Sequence, residues 1–124
     1  MLTTDDFPTL APLQRLVDSW ISATGKGYFS PLTNMAILAE ETGEVARIMA
    51  RRHGDQVAKP SDTGASLADE LVDVIWVAAA IANQEGIDLT EALRLNFDKK
   101  TRRDAGRFGL PAKTDTETLT TKNL

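Results

Sequence analysis

Apolar residues recur along this chain at helical spacing, and no stretch alternates as a strand would. Leu10, Leu13, Leu16, Val17, Trp20 and Ile21 fall on one face and predict a first helix over residues 8–23. Gly25 and Gly27 end it, and Tyr28-Phe29 forms a short connector. Ser30-Pro31 reads as an N-cap followed by proline at the first helical position. It opens a second helix, Pro31–His53, stopped by Gly54. Residues 54–64 are polar, with two glycines and a proline, and predict a loop. A third helix is predicted over 65–85, with Asp62 as its cap and Gly86 as its stop. Asp88, with Glu91 three residues on, resembles a capping box and opens a fourth helix to residue 104. The fold class is therefore all-α, with four helices in a bundle.

The third helix is apolar nearly all round: Leu71, Val72, Val74, Ile75, Trp76 and Val77 leave little polar surface. It should be the central helix. A lone four-helix chain would leave part of that surface in water, so self-association as a dimer or a dimer of dimers is expected.

Composition narrows the setting. At 124 residues and 42% hydrophobic the chain is one domain with a modest core, drawn here as residues 1–108. Residues 109–124, with five threonines and little apolar content, read as a mobile polar tail. Cysteine is absent, which removes disulfides and thiolate metal sites. The N-terminus lacks a basic region and is broken by Asp5, Asp6, Pro8 and Pro12, unlike a signal peptide. The longest uncharged apolar run, 74–82, is far short of the roughly 20 residues that span a membrane. A soluble cytoplasmic protein is the expectation. The net charge of −4 argues against a nucleic-acid polymer as partner. Residues 96–107 are the exception, with five basic and two acidic residues and a local charge of +3.

Two acidic pairs break the apolar pattern. Glu41 and Glu44 lie between Ile37 and Ile48 on the inward face of the second helix, while Glu40 sits at its margin towards Arg47 and Arg51. Glu70 and Asp73, three apart on the third helix, share a face with Val77 and Ile81. Burying like charges together is costly unless protons, cations or a metal compensate. Glu44 is nine residues before the end of its helix and Glu70 eight after Asp62. At 1.5 Å per residue both pairs lie about 12–14 Å from the connecting loop. Antiparallel packing would bring them to one height. Oxygen-only ligands suit magnesium, with manganese as a substitute. A single acidic pair on a helix is usually just a solvated face. The conjunction of two on apolar faces is what points to a metal.

Glu40-Glu41-x-x-Glu44, a 25-residue gap and Glu70-x-x-Asp73 together resemble the signature of the MazG family of all-α nucleoside triphosphate pyrophosphohydrolases. GYFSPL at 27–32, LAEETGEVAR at 38–47, DELVDVIWV at 69–77 and KKTRRDAGRF at 99–108 resemble its short single-domain bacterial members. The resemblance covers roughly residues 13–108. It implies hydrolysis of (d)NTPs between the α and β phosphates, giving a nucleoside monophosphate and pyrophosphate. It implies Glu41, Glu44, Glu70 and Asp73 as magnesium ligands, with Glu40 and Glu41 in catalytic roles, Glu40 as a supporting or water-orienting carboxylate. Lys99 stands where the family carries a lysine, as a phosphate contact. Many members have an asparagine four residues later; this chain departs from them with Arg103, and Arg103 and Arg107 are the substitutes. The family also implies a site built between partner subunits.

Asn34 lies on the carboxylate face and is a candidate substrate or water contact. Tyr28 and Phe29 are candidates for stacking on a base, although aromatics at helical spacing are more often core. His53, beside Arg51 and Arg52, suits the negative end of its helix dipole. The alternatives are a MazG-like nucleotide-binding or regulatory module with weak turnover, and a structural metal-binding bundle. A di-iron site would want Glu-x-x-His pairs, and the only histidine, His53, does not follow a glutamate by three.

Overall fold

The computed structural model describes residues 7–60, 64 and 66–107 of the chain. The described residues form four helices and no strand: α1 (Ala11–Ala23), α2 (Pro31–His53), α3 (Leu67–Gln84) and α4 (Leu89–Arg107). The all-α expectation holds. Two compact units emerge. One spans Thr9–Leu89 and holds α1, α2 and α3; the other joins the segment ending at Pro8 to the chain from Thr90 onward. The polar tail expected at 109–124 lies outside the described residues, as does Asp62.

Local chemistry explains most of the helix ends. α1 begins at Ala11 and not at the expected residue 8. A start at Pro8 would place Pro12 in the helix interior, where its ring meets the carbonyl four residues back. Starting at Ala11 leaves Pro12 in the first turn, where its missing N–H costs nothing. α2 follows its prediction at both ends. The Ser30 hydroxyl accepts from the Thr33 amide at 3.2 Å, and Pro31 comes first in the helix. Gly54 ends it with ordinary negative φ; glycine is needed because a Cβ there would lie 2.5 Å from the Ala50 carbonyl oxygen.

α3 differs at its start. Ser66 is its cap, accepting from the Asp69 amide at 3.2 Å, and the helix opens at Leu67. Glu70 is therefore in the first turn, shallower than the sequence count placed it. Gly86, with φ +67°, reverses the chain after α3, and the Ile87 amide donates to Ala82 O at 2.8 Å. α4 runs to Arg107, three residues past the predicted end.

Within the first unit α3 packs against both α1 and α2, as its composition requires. Val17 of α1 and Ala79 and Ala80 of α3 form the buried centre, with Leu13, Ile21, Tyr28, Trp76 and Leu89 packed on it. Trp20 and Trp76 meet edge to face at 5.6 Å.

A polar network ties the same elements together. Asn83 Nδ2 donates to the Gln14 carbonyl at 3.0 Å and to the Tyr28 hydroxyl at 3.1 Å. Tyr28 in turn donates to Asp18 at 2.7 Å. Gln14 Nε2 donates to Asn83 Oδ1 at 3.1 Å and to the Ile87 carbonyl at 2.8 Å, while its Oε1 accepts from the Leu89 amide at 2.9 Å. At the opening of α2, buried Asn34 donates to Gln84 Oε1 at 2.7 Å, and Gln84 donates to the Phe29 carbonyl at 2.7 Å. The start of α2 thus meets the end of α3. Glu41, further along α2, meets Glu70 near the start of α3. The two helices run antiparallel.

In the second unit Phe7 and Phe97 pack edge to face at 5.3 Å, Ala105 is buried, and Arg94 pairs with Glu91 one turn back. Among the described residues no helix is long and apolar enough to cross a membrane.

Asn83→Ala removes two donors and one acceptor from the part-buried network, leaving Gln14 and Tyr28 incompletely satisfied. It should cost about 1–3 kcal/mol in urea unfolding at fixed protein concentration. Val57→Ser, at a side chain 84% exposed, should stay within about 0.5 kcal/mol. Equal costs would show that the network does not hold the unit.

Candidate metal centre

The antiparallel register of α2 on α3 gathers three carboxylates. Glu41 lies about two turns along α2 from Asn34, whose bond to Gln84 fixes the far end of the pair. Glu70 and Asp73 are one turn apart on the facing helix. One oxygen from each of Glu41, Glu70 and Asp73 lies within 4.8 Å of the others. They meet although Glu70 is only four residues from its cap.

The electrostatics are those of a site short of positive charge. Glu41 and Glu70 are half-buried and Asp73 is exposed. The Glu41 carboxyl holds its proton more tightly than usual. Burial is the main cause, followed by a hydrogen bond with Glu70 and the charges of Asp73, Glu70 and Glu40. Asp69 and Glu70 lie in the first turn of α3, where the helix dipole favours negative charge and offsets part of the repulsion. An all-oxygen donor set on two helices, with its three carboxylates within 4.8 Å of one another, fits a hard divalent cation.

The other predicted residues are placed as follows. Glu44, half-buried, is not in the three-carboxylate group; its carboxylate faces Arg47 at 3.6 Å. Glu40 is exposed beside Glu41. The Asn34 amide is engaged with Gln84 and, at 3.5 Å, with the Phe29 carbonyl. The Tyr28 hydroxyl is engaged with Asp18 and Asn83. Burial, then the bond to Asp18, raises its pKa. Phe29 is exposed. Lys99, Arg103 and Arg107 are exposed on α4, in the second unit. Arg103 grips its neighbour Asp104 through Nε at 2.9 Å and a terminal nitrogen at 3.2 Å. That bond, ahead of the charge attraction, raises the Arg103 pKa, and it holds the Asp104 carboxyl below its usual range. His53 closes α2 with Arg51 and Arg52, as its dipole favours.

Sequence reasoning passed over Gln14, Asp18, Asn83 and Gln84. They hold α1, the connector and α3 together and so support the helix pair that carries the carboxylates. The one signal available was the polar Asn83-Gln84 step that closes the apolar run 74–82 of α3. A shallow depression of about 350 Å³ lies among Gln14, Asp18, Asn83 and Gly86, and none of the three carboxylates lines it.

The model of the MazG nucleotide pyrophosphohydrolase domain matches residues 29–108. The uncharacterized protein YpjD of Bacillus subtilis (strain 168) is 38% identical over 100 residues, spanning 81% of this chain and 90% of that protein. The crystal structure of B. subtilis YpjD superposes with a TM-score of 0.64 at 38% identity, over 74% of this chain and 94% of that one. The crystal structure of the Bacillus-conserved MazG protein, a nucleotide pyrophosphohydrolase, gives 0.61 at 37% identity, over 74% and 88%. A match over most of the chain, with the three carboxylates drawn together on paired helices, leads to one assignment: this chain belongs to the MazG nucleotide pyrophosphohydrolase family.

Proposed function

We propose that the chain hydrolyses nucleoside and deoxynucleoside triphosphates between the α and β phosphorus atoms, giving a nucleoside monophosphate and pyrophosphate, with magnesium. The observation that carries this is the convergence of Glu41, Glu70 and Asp73 within 4.8 Å in a chain of this family. These three would hold the metal, with Glu44 as a further ligand; manganese would substitute. Bound there, the cation would neutralise polyphosphate charge and lower the pKa of a water molecule.

The chain's own residues have separate tasks. Glu40, exposed and adjacent to Glu41, is the carboxylate proposed to orient the attacking water and take its proton. Lys99, Arg103 and Arg107 are proposed to contact phosphate oxygens, where cations stabilise the departing pyrophosphate. Arg103 would exchange its bond to Asp104 for that contact. Asn34 and Tyr28 have their polar groups engaged within the fold, so substrate contact from either would exchange those bonds. The working protein is proposed to be a homodimer or homotetramer in the cytoplasm. Leu71, Val72 and Ile75 of α3 are 46%, 56% and 51% exposed in the single chain, which supports burial by another copy.

Three measurements test this reading. Pyrophosphate release should appear with several (d)NTPs only when magnesium or manganese is present. Glu41→Gln and Asp73→Asn should each lower kcat/KM by about a hundredfold or more. No release from any triphosphate by folded protein refutes the activity, and undiminished release by both variants refutes the site. Second, Asp73→Asn relieves repulsion among the carboxylates, so its metal-free Tm should rise by a few degrees. The same variant should lose the further stabilisation that magnesium gives the unaltered chain; an unchanged metal-induced shift would exclude Asp73 as a ligand. Third, light scattering should give a mass of two or four chains, and Ile75→Glu should lower it. A monomer at micromolar concentration would contradict self-association.

A further inference from the structure

Glu44 stands one turn beyond Glu41 on α2, yet the structure keeps it out of the three-carboxylate group and against Arg47 at 3.6 Å. A fourth anion beside Glu41, Glu70 and Asp73, whose oxygens already lie within 4.8 Å of one another, would add to their mutual repulsion. Arg47, three residues further on, faces the Glu44 carboxylate, which is not one of the three clustered groups. The side chains of Arg47 and Glu44 are 44% and 39% exposed, so the pair is a weak one that water and ions compete with. With a divalent cation held by the three carboxylates, the same place would favour a further carboxylate instead of disfavouring it, and Glu44 would supply that carboxylate.

We propose that Arg47 is an exchange residue: it holds Glu44 in reserve until the cation binds, then gives it up and takes phosphate oxygens of the triphosphate's pyrophosphate end. This rests on the metal-dependent triphosphate reading above. Arginine suits both halves of the exchange, because its planar fork of N–H donors binds a carboxylate and a phosphate in the same way. Its stem is anchored on α2 itself, six residues beyond Glu41 on the same helix.

The test uses the full chain and no turnover. Mn²⁺ binding, followed by EPR without nucleotide, should be about threefold tighter in Arg47→Gln, since Glu44 no longer has to leave a partner. In a Glu44→Gln background the same Arg47 change should leave Mn²⁺ affinity unaltered. Pyrophosphate binding at saturating Mn²⁺, measured by calorimetry, should weaken about tenfold in Arg47→Gln and recover in part in Arg47→Lys. Unchanged or weaker Mn²⁺ affinity in Arg47→Gln overturns the proposal, and so does unchanged pyrophosphate affinity. Failure of the triphosphate reading would look different: the unaltered chain would release no pyrophosphate from any triphosphate, whatever the variants do in these titrations.

Discussion

Three carboxylates within 4.8 Å of one another repel, and the helices that carry them must be held together by something else. In this chain that is the pairing of α2 with α3 and the packing of α1 on α3. The apolar contribution is compact, centred on Val17, Ala79 and Ala80. The polar contribution is unusually specific. Asn83 and Gln84, at the end of α3 away from the carboxylates, bind α1, the connector and the first turns of α2. The repelling groups sit near the start of α3 and the clamp at its end. A site strained by its own charge stays assembled because its register is fixed at a distance from it.

Much of this was legible in the sequence where chemistry is local. Ser30-Pro31 marked the start of α2, and Gly54 and Gly86 marked two helix ends. The apolar surround of α3 announced a central helix. Depth was not legible. Counting from Asp62 treated the loop as the origin of the register, whereas the structure begins α3 at Leu67 and lets packing decide which residues meet. Glu41, Glu70 and Asp73 meet for a reason the count did not contain.

The polar network was hidden for another reason. Gln14 and Asn83 are 69 residues apart, and each alone reads as an ordinary surface residue. Their bonding is a tertiary fact. Likewise, no helical-wheel angle says that Glu44 turns to Arg47 while Glu41 turns to Glu70, because an exposed i, i+3 pair is decided by rotamers. Tyr28 and Asn34 drew notice as candidate ligand contacts, and both prove to have structural bonds as well. The side chains that break an apolar pattern are the ones on which both site and scaffold draw.

The central claim is that Glu41, Glu70 and Asp73 are one divalent-metal site. Anomalous diffraction from crystals grown with Mn²⁺ tests it most directly. The account predicts a manganese peak between α2 and α3 with oxygens of all three carboxylates bound to it. Well-ordered crystals with manganese elsewhere, or with the three carboxylates together and no manganese between them, would contradict it.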